Sequence, residues 1–217
     1  MKNKIIFGTA YILLLALGAY SVYANIPFGH VTFFASTVAN ILQRLFGLTL
    51  FTMLFAQIML GAFLPRLTEK FGGWLFKFHI FQGLTIYGLV LAHILAFALS
   101  DYFANRGVDP FYIVTDFCLL CGTSREFYLT LGRLSFWLIT VSVFAGFFRT
   151  ATPFMRVYWR KFHILNYLLF LLIGIHGFFL GTDFTSMPFF AFAIVAYIVV
   201  LVVIVMKLMP QAKRPKT

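Results

Sequence analysis

The chain has 217 residues, of which 62% are hydrophobic and only 11% are charged, and its mean hydropathy is +0.95. Soluble domains are about half apolar and about a quarter charged. This composition therefore excludes an ordinary soluble domain and predicts a single integral membrane domain over residues 1–217.

Six apolar runs follow one another along the chain, each of the length that crosses a bilayer, about 17–25 residues. They cover residues 5–23, 43–64, 75–99, 129–149, 160–181 and 188–207. The segments between them are short except for 100–128. The predicted fold is an all-α integral membrane protein, a bundle of six transmembrane helices.

The charged residues are distributed unevenly between the two sides of this bundle. If the N-terminus is cytoplasmic, thirteen of the 17 Lys and Arg residues lie at cytoplasmic ends, and the exceptions are Arg44, Arg106, Arg125 and Arg133. This bias follows the positive-inside rule and explains the net charge of +11 without a nucleic-acid partner. We therefore predict a lipid bilayer as the surroundings, a bacterial plasma membrane as the location, and both termini in the cytoplasm.

The first segment leaves an alternative open. MKNKIIFGTAYILLLALGAYSVYA has a basic start, an apolar stretch and small residues near its end, as a secretory signal has. Its apolar run is nevertheless long enough to span a membrane, and the charge distribution favours a retained helix.

Four of the five histidines lie inside two of the apolar runs. His79 and His93 are fourteen positions apart in the third run, and His163 and His176 are thirteen apart in the fifth. An unpartnered imidazole in hydrocarbon costs several kcal/mol, so two pairs with similar spacing indicate a common partner. Both runs cross the membrane in the same direction, which places the rings at two levels about 20 Å apart.

Two facing imidazoles in an apolar bundle are what a bis-histidine b haem requires. The predicted cofactors are two stacked b haems, with His79 and His163 as ligands at the inner level and His93 and His176 at the outer level. The alternative is four hydrogen-bonded histidines in a haem-free transporter or channel.

The spacing of thirteen poses a geometric problem. At about 100° per residue, a step of fourteen returns within about 40° of the same helix face, whereas a step of thirteen misses it by about 140°. A bend or π-bulge near Gly174 would correct the mismatch, or the two haems would lie on different sides of the helix. Glycines at low-profile positions are predicted to admit the macrocycle: Gly83, Gly88, Gly174 and Gly177.

Basic residues near the membrane faces are candidates for binding the anionic haem propionates. The outer candidates are Arg44 and Arg133, and Arg44 is also a candidate for attracting an anionic electron acceptor. The inner candidates are Lys77, Arg160 and Lys161, although membrane topology alone explains that set. Two further polar residues inside helices, Gln57 and Gln82, are predicted to form interhelical hydrogen bonds.

The outer loop contains the sequence CLLCG, with Cys118 and Cys121. Gly122 stands where a c-type haem attachment would need histidine, and the loop offers no obvious further zinc ligands. A disulfide and two free thiols both remain open. His30, between the first two runs, is interpreted as an ordinary loop residue.

Two segments resemble the ferric reductase-like transmembrane domain family. One is WRKFH, whose histidine is followed thirteen residues later by HG, and the other is the preceding LGRLSFWLITVSVFAGFFR. That family includes the membrane parts of NADPH oxidases and ferric reductases and, more distantly, the haem subunit of the methionine sulfoxide reductase system. The resemblance covers about residues 40–205, and its specific part is the histidine spacing, which is similar to that of the two-haem branch. It implies an inner haem between His79 and His163 and an outer haem between His93 and His176.

Members of that family usually continue into flavin and nicotinamide domains, and this sequence contains no G-x-G-x-x-G phosphate-binding motif. The expected electron donor is therefore a separate cytoplasmic flavin reductase or a quinol. The expected acceptor on the outer side is a ferric chelate, oxygen or a partner protein. The predicted function is transmembrane electron transfer as the haem-containing membrane subunit of an oxidoreductase, with a quinol-linked respiratory cytochrome b subunit or a haem-free transporter as the alternatives.

Overall fold

The structure is a computed structural model that describes residues 2–26, 34–109 and 111–208, with side chains described from residue 4 to residue 207 of these ranges. His30 lies outside the described residues. All the regular elements of the described chain are helices: α1 (Lys2–Ala24), α2 (Ala35–Phe71), α3 (Trp74–Phe103), α4 (Tyr112–Thr115), α5 (Ser124–Phe147), α6 (Pro153–His163), α7 (Leu165–Leu180) and α8 (Phe189–Leu208).

Six helical stretches of the described chain are long and apolar enough to cross a membrane, which confirms the predicted six-helix membrane bundle. The fifth of them consists of α6 and α7 together, Pro153–Leu180. The second, α2, has 37 residues and a length of about 55 Å at 1.5 Å per residue. This length exceeds a hydrocarbon core of about 30 Å. Helix α2 therefore extends at both ends beyond the predicted run 43–64, since polar residues near the ends of a helix do not interrupt its hydrogen bonding.

Threonine caps fix the beginnings of α5 and α6. The side-chain oxygen of Thr123 accepts a hydrogen bond from the backbone N–H of Glu126, and that of Thr152 accepts one from Met155. Both satisfy donors that a helix N-terminus would leave free. Pro153 occupies the first turn of α6, where a missing N–H has no cost.

The helices that carry the four histidines belong to two different helix pairs. Helix α3, with His79 and His93, packs along α2, its neighbour in sequence. Helix α6, with His163, and helix α7, with His176, both pack along α5, whereas α3 and α7 are not closely packed on each other. Helices α1 and α8 flank α2, whose Phe51 stacks on Phe170 of α7 and contacts Phe189 of α8. The space between α3 and α7 is therefore bordered by two firmly packed pairs.

The two ends of the bundle differ in composition. At one end, here called the basic end, lie Arg66 and Lys70 of α2, Lys77 of α3 and the segment from Arg149 to Lys161. At the other, the loop end, residues 104–123 connect α3 to α5. His79 and His163 lie toward the basic end, and His93 and His176 lie toward the loop end.

The helix that carries His163 and His176 is interrupted at Ile164, one residue after His163. There the N–H of Tyr167 donates to the Ile164 carbonyl oxygen at 3.1 Å, an i to i+3 bond. Such a bond winds the chain more tightly than the α-helix does, which reduces the 140° shortfall of the thirteen-residue step. The predicted bend near Gly174 was wrong in position, because the irregularity lies ten residues earlier and Gly174 is inside α7.

Candidate functional site

His79 and His163 face each other across the space between the two helix pairs. Their ring centroids are 6.2 Å apart and their planes are inclined by 69°. This separation leaves room for one metal ion with a bond of about 2.0–2.1 Å to a nitrogen of each ring. At the other level, His93 and His176 lie close enough to interact electrostatically. The structure thus brings His79 and His163 together as facing rings and places His93 near His176.

Each of the four rings lies against a glycine of the neighbouring helix in its pair. A methyl group placed on Gly47 or Gly61 of α2 would lie 3.2 Å from Cε1 of His93 or of His79, respectively. One placed on Gly132 of α5 would lie 2.8 Å from two atoms of the His176 ring, and one on Gly146 would lie 3.6 Å from Nδ1 of His163. The absence of a side chain at these glycines lets the imidazoles approach the helix backbone closely.

Three of the rings also bond the helix backbone at the same relative position. Nδ1 of His93 lies 2.9 Å from the carbonyl oxygen of Gln43. Nδ1 of His163 lies 3.2 Å from the carbonyl oxygen of Ser142, and Nδ1 of His176 lies 2.8 Å from the carbonyl oxygen of Tyr128. In each case the carbonyl belongs to the residue four positions before the glycine. We call the glycine and this carbonyl together a histidine seat.

The carbonyl contacts determine which ring nitrogen of these three histidines is free to bind a metal ion. A main-chain carbonyl only accepts hydrogen bonds, so Nδ1 must carry the proton and donate it. The lone pair then resides on Nε2. A histidine that ligates a metal commonly donates its other N–H in this way, which fixes the tautomer and increases the basicity of the ligand.

Two glutamines fasten α2 to α3 beside His79. Gln57 donates from Nε2 to the carbonyl oxygen of His79 at 2.8 Å, and Gln82 donates from Nε2 to the carbonyl oxygen of Met53 at 2.9 Å. The predicted interhelical hydrogen bonds of these residues are therefore confirmed. One hydrogen bond is donated from α2 to α3 and the other from α3 to α2, and together they fix the register of these two helices.

The arrangement fits a pair of bis-histidine haems by three of its features. The donor set consists of neutral imidazoles, three of them with the proton fixed on the nitrogen that faces away from the partner. The glycines keep the rings against the helices, and the space between α3 and α7 separates each ring from its partner. Haem bound here would be held by the imidazole nitrogens of the four histidines, with Nε2 free for this on His93, His163 and His176.

The glycines predicted to admit a macrocycle lie elsewhere. A side chain on Gly174 would meet the ring of Tyr197, and one on Gly177 would meet Phe184 at 2.8 Å. Gly83 lies beside the Gln57 amide, and nothing lies within 4 Å of a methyl group on Gly88. Gly83, Gly174 and Gly177 serve helix packing, so the prediction was wrong at these three positions, whereas at Gly88, which faces open space, it stays a prediction. The glycines that contact histidines are Gly47, Gly61, Gly132 and Gly146.

Arg44 forms a two-pronged ion pair with Asp183. Its Nε lies 2.6 Å from Oδ2 and its second guanidinium nitrogen 2.5 Å from Oδ1, and Asn25 also donates to Oδ1 at 3.0 Å. The Asp183 side chain is 3% exposed and that of Arg44 is 22% exposed. The ion pair connects α2 to the segment between α7 and α8. The guanidinium nitrogens of Arg44 that were expected to bind a haem propionate are thus already bonded to Asp183. The propionate role stays a prediction.

Replacing Arg44 with alanine is expected to lower the free energy of unfolding by about 3–5 kcal/mol, because it leaves the Asp183 carboxylate buried without its partner. Arg44→Lys should restore only part of this loss, since a lysine provides one point of contact instead of a fork. The measurement is denaturant unfolding of the purified protein in detergent. Arg106→Ala is the matched control, because Arg106 pairs with Asp101 at 3.3 Å on an exposed surface and should lose about 0–1 kcal/mol. Equal losses in the two alanine variants would contradict a structural role for the Arg44 pair.

Arg133 lies beneath the loop that connects α3 to α5 and is 6% exposed. It donates to the carbonyl oxygen of Asp116, and its guanidinium carbon lies 3.9 Å from the centre of the Tyr112 ring. Burial raises the pKa of the Tyr112 phenol above its ordinary value, although the neighbouring Arg133 guanidinium opposes this shift. Arg133 therefore holds the loop against α5, and its predicted role toward a propionate stays a prediction.

The inner basic candidates are exposed at the basic end. Lys77 lies on the exposed part of α3, Arg160 lies over the ring of Trp159, and Lys161 lies over that of Tyr158. Cation–π contacts of this kind orient long side chains without burying their charge. Their predicted role toward propionates stays a prediction.

Cys118 and Cys121 are joined by a disulfide, with their Cα atoms 5.3 Å apart. Of the two possibilities that the sequence leaves open, the structure has the bonded form. Although Glu126 lies beside the two sulfur atoms, a disulfide offers no thiolate to a metal ion. The bridge closes the short turn that precedes α5.

No protein-family model matches the chain, and neither a curated protein nor a solved structure matches it at a significant level. The features of this protein that bear on its function are therefore the geometry of the four histidines and the glycines and carbonyls that contact them.

Proposed function

We propose that this protein is a membrane cytochrome that holds two b haems, one between His79 and His163 and one between His93 and His176. The observation that carries the proposal is the repeated construction of the histidine seats. Each of the four partly buried histidines lies against a glycine, and three of them present Nε2 because Nδ1 donates to a carbonyl. Hydrogen-bonded histidines without a cofactor would not require rings paired at two levels of the bundle.

Haem bound at both levels would supply one-electron redox chemistry at two depths of the bilayer. The protein provides the axial nitrogens, the apolar surroundings and the spacing of fourteen residues, which corresponds to about 21 Å along α3. In this proposal the chain is the membrane component of an oxidoreductase, similar to the ferric reductase-like family. The donor is a separate cytoplasmic flavin reductase or a quinol, and the acceptor on the outer side is a ferric chelate, oxygen or a partner protein.

The purified protein should contain two haems per chain, which a pyridine haemochrome assay with a protein determination measures. Low-spin absorption bands are expected, since two imidazoles would hold each haem. A colourless protein after expression with added haem precursor would support the haem-free transporter instead. One haem per chain in fully loaded protein would contradict the two-level model.

The basic end offers a surface for an acidic reductase. Arg66, Lys70, Lys77 and Arg160 lie there, close to the level of His79 and His163. Association steered by opposite charges slows as salt screens them. Reduction by a soluble flavoprotein should therefore slow when ionic strength rises from about 0.01 to 0.5 M, as stopped-flow absorbance would measure. Reduction at a rate independent of salt would favour a quinol that reaches the haems from the membrane.

A further inference from the structure

The disulfide between Cys118 and Cys121 lies at the loop end, in an exposed stretch of the chain. Leu119 and Leu120, the two residues between the cysteines, are 78% and 100% exposed. The cysteines themselves are partly exposed, and their neighbours on both sides along the chain are exposed as well. A thiol reagent in solution can therefore reach this turn without any opening of the helix bundle.

The segment that leads to Cys118 is fixed to α5 by contacts that involve no sulfur atom. The backbone N–H of Cys118 donates to the hydroxyl oxygen of Thr130 at 3.2 Å. Arg133 donates to the carbonyl oxygen of Asp116, and another of its guanidinium nitrogens lies 3.8 Å from Oδ2 of the same residue. Thr130 and Arg133 are both buried, so the packed part of α5 holds this side of the turn.

The segment after Cys121 is fixed as well, because it leads directly into α5. Only Gly122 separates Cys121 from Thr123, whose side chain caps the helix by accepting a hydrogen bond from the N–H of Glu126. Helix α5 thus holds the two cysteine Cα atoms, 5.3 Å apart, near each other independently of the bond between the sulfur atoms. Sγ of Cys121 also lies 2.9 Å from the carbonyl oxygen of Cys118, which can accept a hydrogen bond from the S–H group that reduction creates.

A purely structural role explains this bridge poorly. The stabilisation that a disulfide provides increases with the length of the loop that it closes, and these cysteines are only three positions apart. The contacts with α5 already hold both sides of the turn. A spacing of two residues between cysteines is that of dithiols that exchange reversibly with other thiols. We infer that Cys118 and Cys121 form a thiol–disulfide exchange site, whose partner is a dithiol in solution at the loop end.

The exchange proceeds in two steps that balance without another reactant. A thiolate of the partner attacks Sγ of one cysteine, which breaks the bond between Cys118 and Cys121, forms a mixed disulfide and releases the other cysteine as a thiolate. The second thiol of the partner then attacks the mixed disulfide. The partner is oxidised to a disulfide, the two cysteines are reduced, and the two protons of the partner's thiols end on them. No electron from a haem takes part, so the inference does not rest on the proposed function.

Reduction of the purified wild-type protein by dithiothreitol in detergent provides the first test. The chain contains only two cysteines, so a gel shift after labelling with maleimide–polyethylene glycol reports on this pair alone. The reduction rate should increase in proportion to the dithiothreitol concentration, and the reduced protein should keep its helical circular dichroism and its thermal unfolding midpoint. A rate that reaches a plateau set by unfolding, or a lower midpoint after reduction, would show a structural bond and overturn the inference.

Reaction with glutathione disulfide provides the second test. Cys121→Ser should keep a glutathione adduct on Cys118, because the second thiol is missing, whereas reduced wild-type protein should release the adduct and return to the disulfide. Mass spectrometry of the intact protein distinguishes the two products. A wild-type protein that keeps the adduct would contradict an exchange site.

Thr130→Val tests the part that α5 has in holding the pair, since it removes the hydroxyl that binds the Cys118 N–H and leaves both cysteines in place. Closure of the reduced pair by glutathione disulfide should slow about fivefold, the factor expected for the loss of one neutral hydrogen bond. Thr185→Val is the control, because Thr185 is an exposed threonine that bonds only the carbonyl oxygen of Thr182, and it should close at the wild-type rate. Closure at the wild-type rate in Thr130→Val as well would contradict an exchange site arranged by α5.

Discussion

Replacement of His79 or His163 with alanine is expected to lower the haem content from two to one per chain, because each haem would lose one of its two axial nitrogens. The haem between His93 and His176 should remain, with its low-spin spectrum and midpoint potential nearly unchanged, because the levels are about 20 Å apart. Pyridine haemochrome quantification and redox titration of the purified variants measure the effect. His93→Ala and His176→Ala should produce the complementary loss.

The double variant His79→Ala/His163→Ala tests the pairing itself. If the two rings hold the same haem, the double variant retains as much haem as either single variant, since the first substitution already removes it. His30→Ala, outside the membrane runs, serves as the control and should keep both haems. A double variant with no haem would show that His79 and His163 serve different cofactors and would contradict the pairing that their 6.2 Å separation indicates.

Gly132→Ala is expected to remove the haem between His93 and His176 although it changes no ligand. The added methyl group would lie 2.8 Å from both Cε1 and Nδ1 of His176, closer than carbon atoms approach each other in proteins. The ring cannot retreat without losing its bond to the Tyr128 carbonyl. The haem at that level should therefore be lost or become labile, as haemochrome quantification after purification would detect.

Alanine substitutions at the other glycines form a graded series. Gly47→Ala and Gly61→Ala place the methyl group 3.2 Å from a histidine ring and should weaken haem binding moderately, whereas Gly146→Ala, at 3.6 Å, should be tolerated. Gly88→Ala is the matched control inside a membrane helix, because nothing lies within 4 Å of its methyl group. Haem loss in Gly88→Ala comparable to that in Gly132→Ala would indicate a general effect on folding and would refute the seat as its cause.

The bundle itself could be predicted from the sequence, because a membrane-spanning helix shows its length and apolar composition locally. The four histidines could also be predicted, since a polar ring in hydrocarbon requires a partner. The glycines beneath them could not be predicted in the same way, because glycine is common in membrane helices and its role depends on which helix packs beside it. One signal was present: Gly47 and Gly61, and likewise Gly132 and Gly146, are fourteen positions apart, the same spacing as His79 and His93.

Arg44 shows the opposite limitation. Its position at the sparsely charged end predicted a role toward an anion, and the anion in contact with it is the carboxylate of Asp183, 139 residues later in the chain. No local pattern connects two residues so far apart. The interruption at Ile164 was also out of reach, because its sequence context contains no proline or glycine that would indicate a break.

The two helix pairs also have a consequence for biogenesis. Helices α2 and α3 are consecutive in sequence, and so are α5 and the α6–α7 span, so each pair can enter the membrane as a hairpin with two histidines already resting on its own glycines. Neither hairpin requires the other to orient its imidazoles. If the proposed haems are bound, their insertion would be a late event that follows the formation of both hairpins, and a chain starved of haem should accumulate as an inserted precursor that protease cuts between residues 104 and 123.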